Sequence, residues 1–187
     1  CKPGVYEYQL EATILHSFAM QGARYAAYNT IVGGGENACV LHYIENKDVL
    51  LDGDLVLIDA GSEYQGYAAD ITRTFPVNGR FSPAQTEIYN LVLSTQLACI
   101  NQLKPGRTIA EAMQTAVFMI TQGLLDLGIL TGDLQSCIED QAHKAFFMHG
   151  LGHYLGLDVH DVGNYKDNGS DKVLEKGMVM TVEPGIY

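Results

Sequence analysis

The sequence predicts an α+β fold with two related halves, each presenting a carboxylate from the end of an apolar strand. Three observations point there. Segments with helical apolar spacing and capping signals are interspersed with short β-branched runs. No low-complexity linker divides the 187 residues, a length that suits one domain with two lobes. Finally, Leu50–Gly61 (LLDGDLVLIDAG) aligns without gaps to Leu174–Gly185 (LEKGMVMTVEPG), placing Gly53 on Gly177, Asp59 on Glu183 and Gly61 on Gly185.

The elements follow in order. Val5–Ala23 has helical apolar spacing and stops at Gly22. Strands are expected at Thr30–Val32, Ala38–Leu41, Asp54–Ala60 and Gly66–Thr74. A second helix opens with Ser82 as N-cap, Pro83 in the first helical position and Gln85 closing a capping box, and ends at Pro105-Gly106. Thr108 and Glu111 repeat that device for a third helix, which Gly128 terminates. A shorter helix is expected from Asp133 to about His143, and a last strand over Met178–Glu183.

Composition narrows the function. With 47 % hydrophobic and 18 % charged residues the chain can bury a sizeable core. A net charge of −11 disfavours nucleic acid, whose phosphates need a basic face. No apolar run reaches the roughly 18 residues of a membrane span, so no membrane partner is expected. Cys1, Cys39, Cys99 and Cys137 are scattered without a CxxC and read as reduced thiols of an intracellular, cytoplasmic protein, or as core fillers, rather than as a disulfide framework or zinc site. A first residue of Cys rather than Met suggests a cut N-terminal edge.

The chemistry concentrates in two stretches. In LIDAGSEYQGYAADITRTFP, a hairpin centred on Tyr64-Gln65 places Asp59 directly opposite Asp70, with Cβ atoms ~5 Å apart on one face. Carboxylates that close repel unless a proton or cation lies between them. An aspartate ending the apolar run LVLID is costly unless satisfied. The second stretch, HGLGHYLGLDVHD, threads His149, His153 and His160 with Gly150, Gly152 and Gly156. The glycines disfavour a helix and suggest backbone held close to a ligand. His42 ends a predicted strand, while His16 and His143 read as structural.

With Glu183, the set Asp59, Asp70, His153 and Glu183 offers three carboxylates and one imidazole. That donor set suits Mn²⁺, Co²⁺ or Zn²⁺, and shared carboxylates can hold two ions ~3.5 Å apart. Such a pair makes hydroxide from bridging water at neutral pH and stabilises an oxyanion. A carboxylate can take the proton and neutral histidines can hold substrate. The chemistry points to hydrolysis.

NTIVGGGENACVLHY, GDLVLIDAG followed by YAADITRTFPVNG, HGLGHYLGLDVHDVG and GMVMTVEPGIY resemble the catalytic domain of the Xaa-Pro aminopeptidases (aminopeptidase P) in the pita-bread metallopeptidase superfamily. The likeness runs from KPGVYEYQLEA to Tyr187. It implies a creatinase/aminopeptidase-like fold of pseudo-twofold halves, with a curved, mainly antiparallel sheet covered by helices. Residues 1–187 would form one metallopeptidase catalytic domain. The implied enzyme holds two divalent ions, foremost manganese, and removes an N-terminal residue when proline is second. Position by position, Asp59, Asp70 (bridging), His153 and Glu183 match metal ligands, and Glu183 also matches the proton acceptor. His42, His149 and His160 match histidines that handle the substrate amide and intermediate, and Tyr187 matches a substrate-lining tyrosine.

The resemblance also implies features that these residues do not contain: a further bridging glutamate, a helper arginine, and an N-terminal domain that supports homo-oligomers. A fold C-terminally incomplete in this sense is expected to be weakly active or inactive alone. Prolidase, which cleaves Xaa-Pro dipeptides, shares the ligand set and is the nearest alternative. The stretches around ITRTFPVNG and GLGHYLGLDVHDVG favour the aminopeptidase. Methionine aminopeptidase is disfavoured by the residues flanking its histidines. A pita-bread module that only binds peptides or proteins, and a metal-free creatinase-like hydrolase, are disfavoured by the intact Asp/Asp/His/Glu set.

Overall fold

A computed structural model describes residues 1–187. Helix α1 (Glu7–Met20) opens where Tyr6 N donates to Gln9 Oε1 at 2.9 Å. Strands β1 (Tyr25–Ala26), β2 (Ile31–Gly34), β3 (Leu55–Ala60), β4 (Ser62–Tyr64), β5 (Tyr67–Ala68) and β6 (Ile71–Pro76) follow. Helices α2 (Pro83–Gln102), α3 (Ile109–Asp126) and α4 (Leu134–Glu139) come next, then the short β7 (Lys166–Asp167) and β8 (Ser170–Asp171). The chain forms two units: Cys1–Ala84 with Leu155–Asp161 and Tyr187, and Gln85–Tyr154 with Val162–Ile186.

In the first unit β3 is the central strand, antiparallel to β2 and to β6. Val32, Leu50, Val56 and Val77 form its buried core, with Leu10, Ile58 and Phe75 packed against them. A strand with neighbours on both edges has its ladder bonds satisfied, which is why an apolar run such as LVLID settles there. β1, β4 and β5 make a second small sheet from the far end of the same hairpin.

Two expectations need correction in this unit. The hairpin turn is Gln65-Gly66, not Tyr64-Gln65: Tyr64 pairs with Tyr67, and Gln65 and Gly66 have φ of 52° and 87°. Two consecutive positive φ angles define the type I′ geometry that matches strand twist, and glycine suits the second of those positions. Asp59 therefore lies opposite Thr72 rather than Asp70. Asp70 and Thr72 are two residues apart, so by strand alternation Asp70 stays on the expected face. Ala38–Leu41 is not a strand. A 3₁₀ turn over Gly35–Cys39 replaces it, because the chain folds back until a Cβ at Gly33 would lie 2.8 Å from the Asn37 backbone.

In the second unit α3 is the core helix. Ala112, Ala116, Ile120 and Leu124 recur every fourth residue and are fully buried with Cys99, beside Phe147 and Leu151. The predicted capping box is present: Thr108 Oγ1 accepts from Glu111 N at 3.2 Å, and Thr108 N donates to Glu111 Oε2 at 2.9 Å. At Gly123 a Cβ would stand 2.4 Å from the Leu91 side chain, so Leu91 of α2 packs directly onto the α3 backbone there. The fourth predicted helix is split. α4 stops at Glu139, Gln141 adopts φ 55°, and a 3₁₀ turn covers Ala142–Ala145.

Met178–Glu183 is extended but forms no ladder, which corrects the predicted strand. It has one bridge, Tyr154 to Met180, while Thr181 N and Glu183 N donate to His153 O (2.9 Å) and Leu151 O (2.8 Å). Its donors thus serve the glycine-histidine stretch rather than a neighbouring strand. The repeat nonetheless has a structural counterpart. Asp54 N donates to Leu51 O (3.4 Å) and Met178 N to Glu175 O (3.3 Å) at aligned positions, around Gly53 and Gly177 with φ of 90° and 92°.

Candidate metal centre

In the first unit the Tyr28 hydroxyl sits between two carboxylates. It hydrogen-bonds Asp59 Oδ1 at short range and lies 3.2 Å from Asp70 Oδ1. One phenolic proton cannot satisfy two acceptors at once, so the site remains rich in lone pairs. Burial pushes the Asp59 carboxyl up from its ordinary range, and the Asp70 charge adds to this; hydrogen bonds from Tyr28 and Thr72 and the charge of His42 oppose it. Burial, and then the two carboxylates, also raise Tyr28 far above the ordinary tyrosine range, which keeps it a proton donor.

His42 lies on the exposed loop after the 3₁₀ turn, at φ 57°. His160 is exposed on the segment Leu155–Asp161, which joins the hairpin through Ala68 N donating to Gly156 O at 2.8 Å. Tyr187 is half-buried.

The second unit holds an imidazole–carboxylate pair. His153 Nδ1 lies 2.9 Å from Tyr154 O. A carbonyl only accepts, so Nδ1 carries a proton, and in the neutral ring Nε2 then holds the lone pair. Nε2 faces Glu183 Oε1 at 3.2 Å. Two acceptors at that distance need a second ring proton or a cation between them. Thr181 fixes both partners, with Oγ1 donating to Glu183 Oε1 at 2.6 Å and accepting from His153 N at 2.9 Å. Gln96 Nε2 donates to Val182 O at 2.9 Å, and Val182 packs on the α3 core. Gly152 permits this approach, since a Cβ there would lie 2.1 Å from Thr181 O.

His149 is half-buried. Its Nδ1 lies 2.8 Å from Gly150 O, and its ring meets Phe147 edge-on at 5.1 Å, which fixes its orientation.

Each unit therefore contains a pair of facing acceptors, made of carboxylate oxygens and one imidazole nitrogen. This is the donor chemistry of a borderline divalent cation. The Nδ1–H···O=C bond of His153 is the outer-shell contact that orients a histidine ligand. Tyr28, Thr72 and Thr181 were missed by the sequence reading. A signal existed for the two threonines, which stand two residues from Asp70 and Glu183 on extended backbone; Tyr28 carried none.

Comparison with known proteins agrees. Over the whole chain the sequence is 57 % identical to the Xaa-Pro aminopeptidase of Escherichia coli K12, covering 42 % of that protein. It is 59 % identical to the Xaa-Pro aminopeptidase of Haemophilus influenzae, covering 43 %. The chain thus spans about two-fifths of the length of these relatives. Proline aminopeptidase P II of Yersinia pestis superposes on the entire chain with a TM-score of 0.97 at 59 % identity, over 43 % of its own length. Zinc-substituted E. coli aminopeptidase P in complex with product gives 0.97 at 57 % identity, over 42 % of its length. The fold is that of aminopeptidase P, the pita-bread fold. The profile of metallopeptidase family M24 matches residues 1–187, and the chain belongs to that family.

Proposed function

We propose that this chain supplies the metal-ligand region of an Xaa-Pro aminopeptidase. The observation that carries this reading is the facing of acceptors in both units, on a chain 57–59 % identical throughout to proteins of that name. Asp59 and Asp70 supply one pair of ligands and His153 and Glu183 the other. Two divalent ions bound there would acidify water and polarise the scissile carbonyl. Manganese is the first candidate, with cobalt and zinc as alternatives.

The remaining roles fall to the chain's own groups. Glu183 accepts a proton, its Oε1 anchored by Thr181 and its orientation set by the Leu151 contact at Glu183 N. His149, held by Gly150 O and Phe147, His42 and His160 bind the substrate amide and donate to the developing oxyanion. Tyr187 lines the substrate path. The substrates are peptides with proline second, and residues 1–187 act as one catalytic domain.

Four free cysteines, two of them buried, fit a reducing compartment and support a cytoplasmic location. No helix is long and apolar enough to cross a membrane. The homo-oligomer and the absence of nucleic-acid and membrane partners belong to the same proposal; light scattering of the full-length protein tests the oligomer.

The deciding experiment combines metal analysis of the full-length protein with assays on Gly-Pro-Pro and Gly-Pro. Two ions per chain and release of glycine from the tripeptide are expected. Cleavage of the dipeptide alone would indicate prolidase, and no metal-dependent cleavage would leave a binding module.

A further inference from the structure

Glu7, the first residue of α1, is completely buried yet belongs to none of the acceptor pairs above. Its Oε1 accepts from Gly34 N at 2.8 Å and Asn37 Nδ2 at 3.1 Å. Its Oε2 accepts from the Tyr43 hydroxyl at 2.8 Å and Asp48 N at 3.0 Å. Its own N–H donates to Asp48 O at 2.9 Å. A carboxylate has about four lone-pair sites, and here all four are used.

Every one of those donors comes from Gly34–Asp48, the segment that carries His42. Tyr43 and Asn46 are its two buried side chains, with 8 % and 1 % exposure. Burial, and then the bond to Glu7, pushes the Tyr43 hydroxyl up to about 12 and keeps it a donor. Asn46 Oδ1 accepts from Val32 N at 3.0 Å, and Nδ2 donates to Thr30 O and Glu11 Oε2, both at 2.8 Å. His42, next to Tyr43, takes the left-handed φ of 57° that a β-carbon disfavours. A conformation of that kind persists only where its surroundings over-determine it. An apolar residue would fill the space of Glu7 without the cost of burying a carboxylate. What the carboxylate adds is a four-point clamp on the two sides of His42.

We propose that Glu7 is a positioning residue for His42, holding the Gly34–Asp48 loop so that the imidazole meets the substrate in one orientation. This rests on the reading of His42 as a substrate-handling histidine. Glu7 acts through Tyr43 and the Asp48 backbone, and it touches no candidate metal ligand.

The test uses the full-length, metal-loaded enzyme with Glu7→Gln, Tyr43→Phe and His42→Ala, alone and combined. Gln keeps the size of Glu but turns one acceptor oxygen into a donor. Glu7→Gln is expected to lower kcat by about tenfold or more through misplacement of the imidazole, with KM nearly unchanged. Metal stoichiometry and affinity should match the parent. In the His42→Ala background the Glu7→Gln change should cost less than about twofold, because the two act as one unit. In the zinc-loaded protein, where no paramagnetic ion broadens them, the His42 ring resonances should shift or broaden in Glu7→Gln while those of His160 stay in place. Tyr43→Phe removes one of the four bonds and should show the same pattern more weakly, which keeps the test open if Glu7→Gln folds poorly. Losses that multiply independently, or an unmoved His42 resonance, overturn the proposal. Full activity of His42→Ala would instead remove the reading of His42 on which it rests.

Discussion

His153 Nε2 and Glu183 Oε1 stand 3.2 Å apart, and with Nδ1 donating to Tyr154 O the neutral imidazole turns its Nε2 lone pair toward the carboxylate. Thr181 holds the pair from both sides, bonding His153 N and Glu183 Oε1 with one hydroxyl. Thr181→Val keeps the shape and removes that hydroxyl. Metal affinity should weaken about tenfold, the usual cost of losing an outer-shell partner. Isothermal titration of the metal-free full-length protein with Mn²⁺ measures it, and an unchanged affinity would show that Thr181 does not orient the ligands.

Tyr28→Phe takes away the hydroxyl shared by Asp59 and Asp70. Without a cation the two carboxylates lose the one donor they share, and the metal-free protein should lose about 1–3 kcal/mol. With the metal bound the loss should be smaller, so the gap between metal-free and metal-loaded melting temperatures should widen. Calorimetry of both forms decides it; an equal drop in both would mean that the hydroxyl serves packing alone.

The glycines of the histidine stretch should differ sharply in tolerance. At Gly152 an added Cβ would meet Thr181 O at 2.1 Å, a backbone atom that cannot swing aside, whereas at Gly150 nothing lies within 4 Å. Gly152→Ala is expected to cost about 2 kcal/mol or more, and Gly150→Ala to stay within about 0.5 kcal/mol. Chemical denaturation of the two variants side by side checks this contrast, and equal stabilities would contradict it.

His143 should make stability depend on pH. It is buried, its Nδ1 has no hydrogen-bond partner, and burial followed by the charge of Lys144 holds its pKa below the ordinary 6.5. The unfolded chain therefore takes up the proton first as pH falls below 6.5. Stability present above that pH is lost on acidification down to the folded-state pKa. His143→Phe should flatten the melting temperature against pH between about pH 7 and pH 5 relative to the parent. Parallel profiles would show that the ring accepts its proton without cost.

Where the physics is local, the sequence was enough. The Thr108–Glu111 capping box depends on residues three apart and is present as read. The hairpin was legible to within one residue. Its turn slid to Gln65-Gly66 because type I′ geometry places glycine second, yet strand alternation kept Asp59 and Asp70 on one face. Ala38–Leu41 was misread because Glu7, some thirty residues earlier, draws Asn37 and Tyr43 away from any ladder. Met178–Glu183 was misread because its donors go to Leu151 and His153, which no periodicity announces. Carboxylates and histidines could be picked out by type and spacing. The hydroxyls that orient them, from Tyr28, Thr72 and Thr181, and the Glu7 clamp, depend on contacts that spacing does not encode.

The Gln65-Gly66 turn also sets a parity rule on this region of the chain. The paired arms on either side of it share one register, with Tyr64 against Tyr67 and Asp59 against Thr72. Shifting one arm by a single residue would turn Asp70 to the opposite face, away from the Tyr28 hydroxyl. Shifting it by two returns the side chain to the face it left. A residue added at the tip keeps both carboxylates together only where a longer loop absorbs it and the two arms hold their register.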